Sequence, residues 1–143
     1  MSKSRPARGY TLPELITALT ICGILLAIAV PRIQSQLDRV AVRSAVADAI
    51  SAINTARSLA LAGHSAIAVH FDSVTGGIRV RRGGETLLER GLGKEHGVRV
   101  SATRDSLTFD AHGLGHGAAN LSIIVRLGVI SDTLFVSRFG RIR

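Results

Sequence analysis

Residues 8–32 begin Arg8-Gly9-Tyr10-Thr11-Leu12-Pro13-Glu14-Leu15, continue over residues 16–30 without a charge, and end in Pro31-Arg32. A run of about twenty mostly apolar residues can cross a bilayer as a helix, and this run reaches that length when residues 10–15 are included. Glu14 departs from the apolar pattern. An ionisable group inside a membrane is costly and is normally kept for a partner or a function. The stretch therefore predicts a membrane helix with a carboxylate near its start.

A short basic segment precedes this helix. Lys3, Arg5 and Arg8 lie before Gly9, and no acidic residue accompanies them. Positive residues on one side of an apolar span keep that side in the cytoplasm. We therefore expect a single-pass membrane protein with its N-terminus in the cytoplasm and the rest of the chain in the periplasm or outside the cell.

The segment Gly9-Tyr10-Thr11-Leu12-Pro13-Glu14-Leu15 resembles the leader-cleavage motif of the type IV pilins and type II secretion pseudopilins. In that family a membrane-embedded peptidase cuts after the glycine and methylates the new amino terminus. The resemblance implies cleavage between Gly9 and Tyr10, methylation of Tyr10, and an assembly role for Glu14. It also implies partners: prepilin peptidase, an inner-membrane assembly platform, and other minor and major pilins or pseudopilins.

An ordinary secretory signal peptide or a plain membrane anchor is the alternative interpretation of this N-terminus. Such a peptide has a basic start, an apolar stretch and a small-x-small cleavage site, which Ala27-Ile28-Ala29 supplies. Two features favour the pilin-type interpretation instead. Glu14 interrupts the apolar stretch, and the apolar pattern continues past Pro31 into an alanine-rich segment.

Length and composition limit the part of the chain beyond the membrane helix. The chain has 143 residues, which leaves room for one domain beyond the anchor. Cys22 is the only cysteine, so neither an intramolecular disulfide nor a cysteine-based metal site can form. Residues 32–143 contain 15 basic and nine acidic side chains within a chain of net charge +8. A basic exported domain favours association with anionic partners.

Residues 32–62 are predicted to continue the helix. They contain neither Gly nor Pro, and Gly63 supplies a C-terminal stop. Helical spacing places polar side chains on one stripe and small side chains on the opposite face; the stripe contains Gln36, Arg39, Arg43, Asn54 and Arg57, and the face contains Ala41, Ala45, Ala49, Ala52 and Ala56. Together with the membrane segment this predicts one helix of about 50 residues, roughly 75 Å long.

From Ser65 onward the apolar period changes from 3.6 residues to two, which is typical of strands. Gly83-Gly84 indicates a two-residue hairpin loop, and six or seven short strands are expected; their segments are 67–71, 78–81, 86–90, 98–100, 107–109, 121–127 and 130–139. The predicted fold class is therefore α+β, with one long helix packed against an antiparallel β-domain. The expected organisation is a cleaved leader at 1–9, a transmembrane and assembly helix at 10–31, its soluble half at 32–62, and a β-rich domain at 63–143.

Three further segments resemble a subgroup of this family that contains the minor pseudopilin GspH and the minor pilins FimT and FimU. They are Ala56-Arg57-Ser58-Leu59-Ala60, Leu107-Thr108-Phe109-Asp110-Ala111-His112-Gly113 and Phe135-Val136-Ser137-Arg138-Phe139-Gly140-Arg141. The resemblance implies a two-sheet β-structure against the helix. It further implies a low-abundance subunit that helps to start or cap a filament, in type II secretion or in a type IV pilus.

The residues do not indicate an enzyme, a cofactor or a metal site. Asp110, His112 and His116 are the nearest approach to a ligand set, but Gly113, Gly115 and Gly117 exclude the helix that histidines spaced by four residues normally need. A polar glycine-rich loop is the expectation for this segment.

The C-terminus provides a second functional hypothesis. The last eleven residues contain Arg138, Arg141 and Arg143 and no acidic side chain. The resemblance to FimT permits a DNA-binding role for this tail, and strand alternation would place Arg141 and Arg143 on one side, where their planar guanidinium groups suit phosphate. Arg79, Arg81 and Arg99 would extend the patch if their strands lie nearby. An ordinary solvated strand end is the alternative, because aromatic stacking residues are scarce.

Overall fold

The computed structural model describes residues 9–116, 121–137 and 141–143. Within these residues the chain forms two helices and eight strands in the following order: α1 (Leu12–Gly63), β1 (Ile67–Asp72), β2 (Gly77–Arg82), β3 (Glu85–Gly91), α2 (Leu92–His96), β4 (Arg99–Ala102), β5 (Ser106–Phe109), β6 (Gly115–His116), β7 (Leu121–Leu127) and β8 (Ile130–Val136). The chain divides into two compact units, Met1–Gln36 and Leu37–Arg143. The α+β class predicted from the sequence, with one long helix followed by antiparallel sheets, is confirmed.

The first part of α1 is an uninterrupted helix of exposed apolar side chains. Every residue from 9 to 34 is exposed, and one helix in the described part of the chain, α1, is long and apolar enough to cross a membrane. The hydroxyl groups of Thr17 and Thr20 form hydrogen bonds within the helix. The Thr17 hydroxyl donates to the carbonyl of Pro13 and the Thr20 hydroxyl to that of Ile16, both at 2.8 Å. This segment therefore presents an almost wholly apolar surface to its surroundings, with its backbone and hydroxyl polarity largely satisfied within the helix.

Two prolines lie within α1 without ending it. Pro13 occupies the second helical position, where a missing N–H removes no intrahelical hydrogen bond. Pro31 lies in the helix interior, where it removes the N–H that would bond the carbonyl of Ala27. We predicted one continuous helix whose membrane half ends at Pro31, and α1 does continue through this proline.

In the C-terminal unit, small side chains of α1 form the face that packs on the β-structure. Ala45, Ala49, Ala52 and Ala56 are buried, which confirms the predicted alanine face, and Ala41 at its start is half-buried. Small residues let a helix backbone approach its neighbour closely, so the larger core side chains come mainly from the strands; the largest fully buried ones are Phe109, Ile53, Ile67, Ile78, Leu92, Leu107, Leu121 and Ile123.

The strands form two antiparallel sheets. Sheet A has the order β3-β2-β1-β5-β6, and sheet B has the order β4-β7-β8. Burial alternates along the strands, as in β1 and β7, so one face of each sheet lies in the core and the other faces solvent. The hairpin loop predicted at Gly83-Gly84 joins β2 to β3, and Gly83 adopts a φ of +56°, which a residue without a Cβ tolerates.

The described residues contain eight strands, where six or seven were expected, and a second helix that the sequence did not predict. The additional strand, β6, is two residues long and pairs with β5 at Thr108 and Phe109. Helix α2 has five residues, and Leu92 is its buried anchor. Both elements are too short to show a period, and glycines surround them, so their sequences look like loops.

Candidate functional site

The predicted processing site lies immediately before α1. Tyr10 is 88% exposed, and no atom lies within 4 Å of the place where a side chain on Gly9 would begin. Within the described part of the chain, Gly9 therefore has open space on its side-chain side, and Tyr10 beside it is exposed. The basic residues of the predicted leader, Lys3, Arg5 and Arg8, lie outside the described residues.

Glu14 has a local role at the start of α1 in addition to the assembly role expected from the motif. Its Oε2 accepts a long hydrogen bond of 3.5 Å from the backbone N–H of Thr11, the residue before the helix. Thr11-Leu12-Pro13-Glu14 matches the capping-box pattern of Ser or Thr followed three residues later by Glu, which was the signal available in the sequence. The carboxylate remains exposed and forms no ion pair within the described residues.

The C-terminal tail, residues 141–143, runs antiparallel beside β8. Phe135 and Arg143 exchange two backbone hydrogen bonds of 2.8 and 2.9 Å, and the N–H of Ser137 donates to the carbonyl of Arg141 at 2.8 Å. Ile142 forms a bridge with Val136 and packs against the core. Arg141 and Arg143 therefore project from the opposite, solvent-facing side of the tail, since neighbouring residues in a strand alternate. Arg138, the third arginine of the prediction, lies outside the described residues.

An aromatic side chain accompanies the tail arginines. Phe135 lies directly opposite Arg143, so their Cβ atoms are about 5 Å apart on the same face. The Phe135 ring is 54% exposed, although β8 has buried positions on either side of it at Leu134 and Val136. The composition shows that aromatic residues are scarce, but it could not show that one of them lies beside the tail.

The solvent-facing side of sheet B, called here the outer face, carries further arginines. Arg99 of β4 and Arg126 of β7 are directly opposite each other and both are exposed. The described outer-face positions include no acidic residue; they are Arg99, Ser101, Ser122, Ile124, Arg126, Ser131, Thr133 and Phe135, with Arg141 and Arg143 of the tail.

The other two arginines named in the prediction belong to sheet A. Arg79 pairs with Glu89 on the neighbouring strand, with 2.8 Å between Nε and Oε1, and the hydrogen bond that Arg79 donates to this carboxylate raises the pKa of Arg79. Arg81 donates to the carbonyl of Gly84 at 3.0 Å. Arg79 and Arg81 thus lie on β2 of sheet A, whereas Arg99 lies on β4 of sheet B.

The loop between β5 and β6 is organised by Asp110. Its Oδ1 accepts the backbone N–H groups of His112 and Leu114 at 2.8 and 2.9 Å, and its Oδ2 lies 3.1 Å from Nε2 of His116. The hydrogen bond from Leu114, followed by the other partners, lowers the pKa of the Asp110 carboxyl. These contacts describe a loop closed by one carboxylate, in keeping with the polar loop expected for this segment; Gly117 lies outside the described residues.

Asp48, Glu95 and His96 form a cluster that was not predicted from the sequence. Their ligand-type atoms lie within 4.8 Å of one another. Within the cluster, Nε2 of His96 lies 2.7 Å from Oδ2 of Asp48, and Oε1 of Glu95 accepts the backbone N–H of Gly91 at 3.2 Å. The cluster therefore connects α2 to α1 through a polar contact between residues 48 positions apart.

Two comparisons with known proteins bear on the class of this chain. Residues 4–30 match the prokaryotic N-terminal methylation motif. The structure matches the type IV minor pilin FimU of Pseudomonas aeruginosa in two crystal forms, one at TM-score 0.63 and 19% identity over 73% of this chain and 88% of that one, the other at TM-score 0.59 and 18% identity over 71% and 90%. No curated protein gives a significant match.

The chain thus combines the prokaryotic N-terminal methylation motif with the fold of a type IV minor pilin. The matched residues 4–30 include the apolar start of α1, a helix that is long and apolar enough to cross a membrane. The structural likeness to FimU shows that the two proteins share a fold. The short segments around Ala56, Leu107 and Phe135 first indicated this resemblance.

Proposed function

We propose that the chain is a minor pilin or pseudopilin, a structural subunit placed near the tip of a type IV pilus or type II secretion pseudopilus. In this proposal prepilin peptidase cuts between Gly9 and Tyr10 and methylates Tyr10. The mature protein is held in the inner membrane with its C-terminal domain in the periplasm, and it then joins other minor and major subunits. We also propose the domain boundaries expected from the sequence, which include a soluble half of the helix at 32–62.

The observation that carries this proposal is a methylation motif, matched over residues 4–30, that includes the exposed apolar start of α1. Large apolar side chains of α1 from Leu12 to Ile33 each show about half or more of their surface. In water such exposure is unfavourable by about 25 cal/mol per Å² of apolar area. A bilayer before assembly and a bundle of like helices after it would both remove that cost, because each covers the apolar surface.

Glu14 is the proposed assembly residue. Its carboxylate is exposed and its contact with Thr11 is long, so it remains available to a neighbouring subunit. We infer that it pairs with the methylated amino group of the adjacent subunit, because two opposite charges buried together in a helical bundle offset part of each other's desolvation cost.

The test uses Glu14→Ala in cells that lack the unaltered gene, with Glu85→Ala as the matched control. Glu85 is an exposed carboxylate at the start of β3, remote in sequence from the membrane segment. The Glu14→Ala protein should accumulate in the membrane at a normal level and be strongly depleted from the sheared filament or pseudopilus fraction. Equal incorporation of Glu14→Ala and Glu85→Ala would refute the assembly role.

The two machines are separated by the phenotype of a deletion strain. If the subunit belongs to a pseudopilus, loss of the gene should reduce secretion of folded exoproteins and leave surface pili unchanged. If it belongs to a type IV pilus, the number of pili or the motility they drive should fall instead. A strain with both functions intact would contradict the proposal of a required subunit.

DNA capture by the tail is a second candidate function, and the geometry of the outer face favours it. Arg141 and Arg143 project from the same side of the tail, and the Phe135 ring lies opposite Arg143. Guanidinium groups bind phosphate through a planar fork, and an exposed aromatic ring can stack on a base. This combination supports binding that depends on phosphate rather than on sequence.

The corresponding experiment measures anisotropy of a labelled oligonucleotide with the full chain in detergent, over a series of salt concentrations. Arg141→Gln plus Arg143→Gln should weaken binding and reduce the slope of log K against log salt by about 2, because each phosphate contact contributes about 0.9 to that slope. Arg82→Gln plus Arg90→Gln, two exposed arginines of sheet A, removes the same charge and should change the slope little. If both variants lost DNA binding equally, net charge alone would explain the loss and the tail would not be a binding site.

A further inference from the structure

The end of the outer face farthest from the tail carries two arginines in an unusual arrangement. Arg99 of β4 and Arg126 of β7 occupy directly opposite positions in the antiparallel ladder. Directly opposite side chains on one face have Cβ atoms about 5 Å apart, and like charges in this position are destabilising. Both residues are exposed, so neither contributes to the core in return.

No compensating carboxylate accompanies this pair within the described residues. The ion pairs found there join Arg79 to Glu89, His96 to Asp48, and two histidines to Asp110. Asp132, on the neighbouring strand β8, is opposite the buried Val125, so strand alternation assigns it to the other face. An anion from outside the chain that lay between Arg99 and Arg126 would relieve their repulsion more fully than solvent screening of these exposed side chains does.

The space between the two arginines can hold such an anion. A groove of about 430 Å³ is lined by Gly97, Arg99, Arg126, Leu127 and Gly128. The two glycines have φ values of +69° and +58°, and no atom lies within 4 Å of the position a Cβ would take at either one. The lining of the groove thus combines two arginines with two residues that have no side chain.

A hydroxyl group lies next in the same row. Ser131 of β8 is directly opposite Arg126 and is exposed. Successive strands lie about 4.8 Å apart, so Arg99, Arg126 and Ser131 form a row of donors across three strands of sheet B. Two cationic forks and a neutral donor match the oxygens of a phosphate group, which accepts charge-assisted hydrogen bonds from several directions.

We propose that this row, Arg99, Arg126 and Ser131, is a second phosphate-binding site, and that a nucleic acid lies along the outer face of sheet B from the row to the tail. The inference rests on the DNA-binding function proposed above. Arg126 is four residues along β7 from Ser122. Ser122 is opposite Phe135 on β8, and Phe135 is in turn opposite Arg143 on the tail, so the tail is two strands away from β7. At about 3.3 Å per residue and 4.8 Å per strand, Arg126 and Arg143 are roughly 16 Å apart. That separation spans about five successive phosphates of one strand along a duplex axis.

The character of the surface between the two ends supports a nucleic acid rather than a small anion. Ser122, Ile124 and Thr133 lie between them on the same face, with no acidic side chain among the described positions. A polyanion laid over this surface would meet arginines at both ends and neutral side chains in the middle. A single phosphate ion would engage one end only.

The test compares four forms of the full chain in detergent: unaltered, Arg99→Gln plus Arg126→Gln, the tail pair Arg141→Gln plus Arg143→Gln, and the control pair Arg82→Gln plus Arg90→Gln. The probe is a labelled duplex oligonucleotide. A second arm measures binding of vesicles that contain anionic phospholipid to the same four forms held in detergent-free discs of neutral lipid. Altering the row should weaken DNA binding roughly tenfold or more and lower the salt slope by about 2, as for the tail pair. The thermal midpoint should stay the same or rise, because the substitution removes a repulsion.

The outcomes separate this inference from the function on which it rests. If only the tail pair weakens DNA binding, the row is not a phosphate site and the tail proposal stands. If the unaltered chain does not bind DNA at low salt, both proposals fail. If the row variant loses vesicle binding and keeps DNA binding, the ligand is a lipid headgroup and the inference is wrong.

Discussion

The alanine face of α1 supports a quantitative prediction about how the helix packs on the β-structure. Ala49 is fully buried, whereas Ala47, two residues earlier, is exposed. Two residues correspond to about 200° around a helix, so the two alanines lie on nearly opposite sides of it. The same substitution by leucine at these two positions therefore tests burial alone, because leucine and alanine both favour helix.

The magnitude follows from the lack of space at Ala49. Leucine adds three heavy atoms where the alanine side chain already has no exposed surface, and inserting methylene groups into a packed core costs about 1–3 kcal/mol. A cost of about 2 kcal/mol is a large part of the 5–15 kcal/mol by which a domain is normally stable. For a domain of this size it lowers the thermal midpoint by roughly 10 °C. Ala47→Leu should change stability by less than about 0.5 kcal/mol.

The assay is thermal unfolding of the full chain in detergent micelles, followed by hydrogen exchange in peptides from β7, the central strand of sheet B. Exchange in β7 reports opening of the C-terminal unit separately from the membrane helix. Ala49→Leu should increase exchange there and lower the midpoint, while Ala47→Leu should match the unaltered chain. Equal behaviour of the two variants would refute the claim that this face of α1 is packed against the sheets.

Two further predictions concern the loops. Gly113→Ala should lower the free energy of unfolding by about 1–2 kcal/mol, measured by urea unfolding. Gly113 has a φ of +70°, and a Cβ added there would lie 3.1 Å from Leu61. Gly84→Ala is the control, because a Cβ added at Gly84 meets nothing within 4 Å. The pKa of Asp72 is lowered mainly by the hydrogen bond from the Thr75 hydroxyl, and the pKa of Asp110 is also below its ordinary value. Both carboxylates therefore stabilise the fold above about pH 4. This stabilisation is lost as the pH falls through their lowered pKa values. Acid unfolding of Asp110→Asn should accordingly depend less on pH than that of the unaltered chain.

Much of the secondary structure can be predicted from local patterns. The alternation of Ile67, Val69 and Phe71 predicts β1, and Gly83-Gly84 predicts the β2–β3 loop, because each depends on residues close together in sequence. The same holds for the alanine face of α1. The motif around Gly9 and Glu14 is equally local, which is why it could be recognised in the sequence.

The arrangement of the outer face could not be predicted in this way. Arg99 and Arg126 are brought together by pairing of β4 with β7 across 27 positions, and Phe135 meets Arg143 only because the tail turns back along β8. Such pairings depend on which strands share a sheet, and no local signal in the sequence determines that choice. The separation of Arg79 from Arg99 into different sheets has the same cause.

The central claim, that this chain is processed and assembled as a pilin-type subunit, is tested most directly by the intact mass of the protein isolated from the membrane fraction. The predicted mass is that of a chain that begins at Tyr10 and carries one methyl group on its amino terminus. Fragmentation should place the methyl group on Tyr10. A mature chain that begins after Ala29, or one that retains residues 1–9, would contradict the claim.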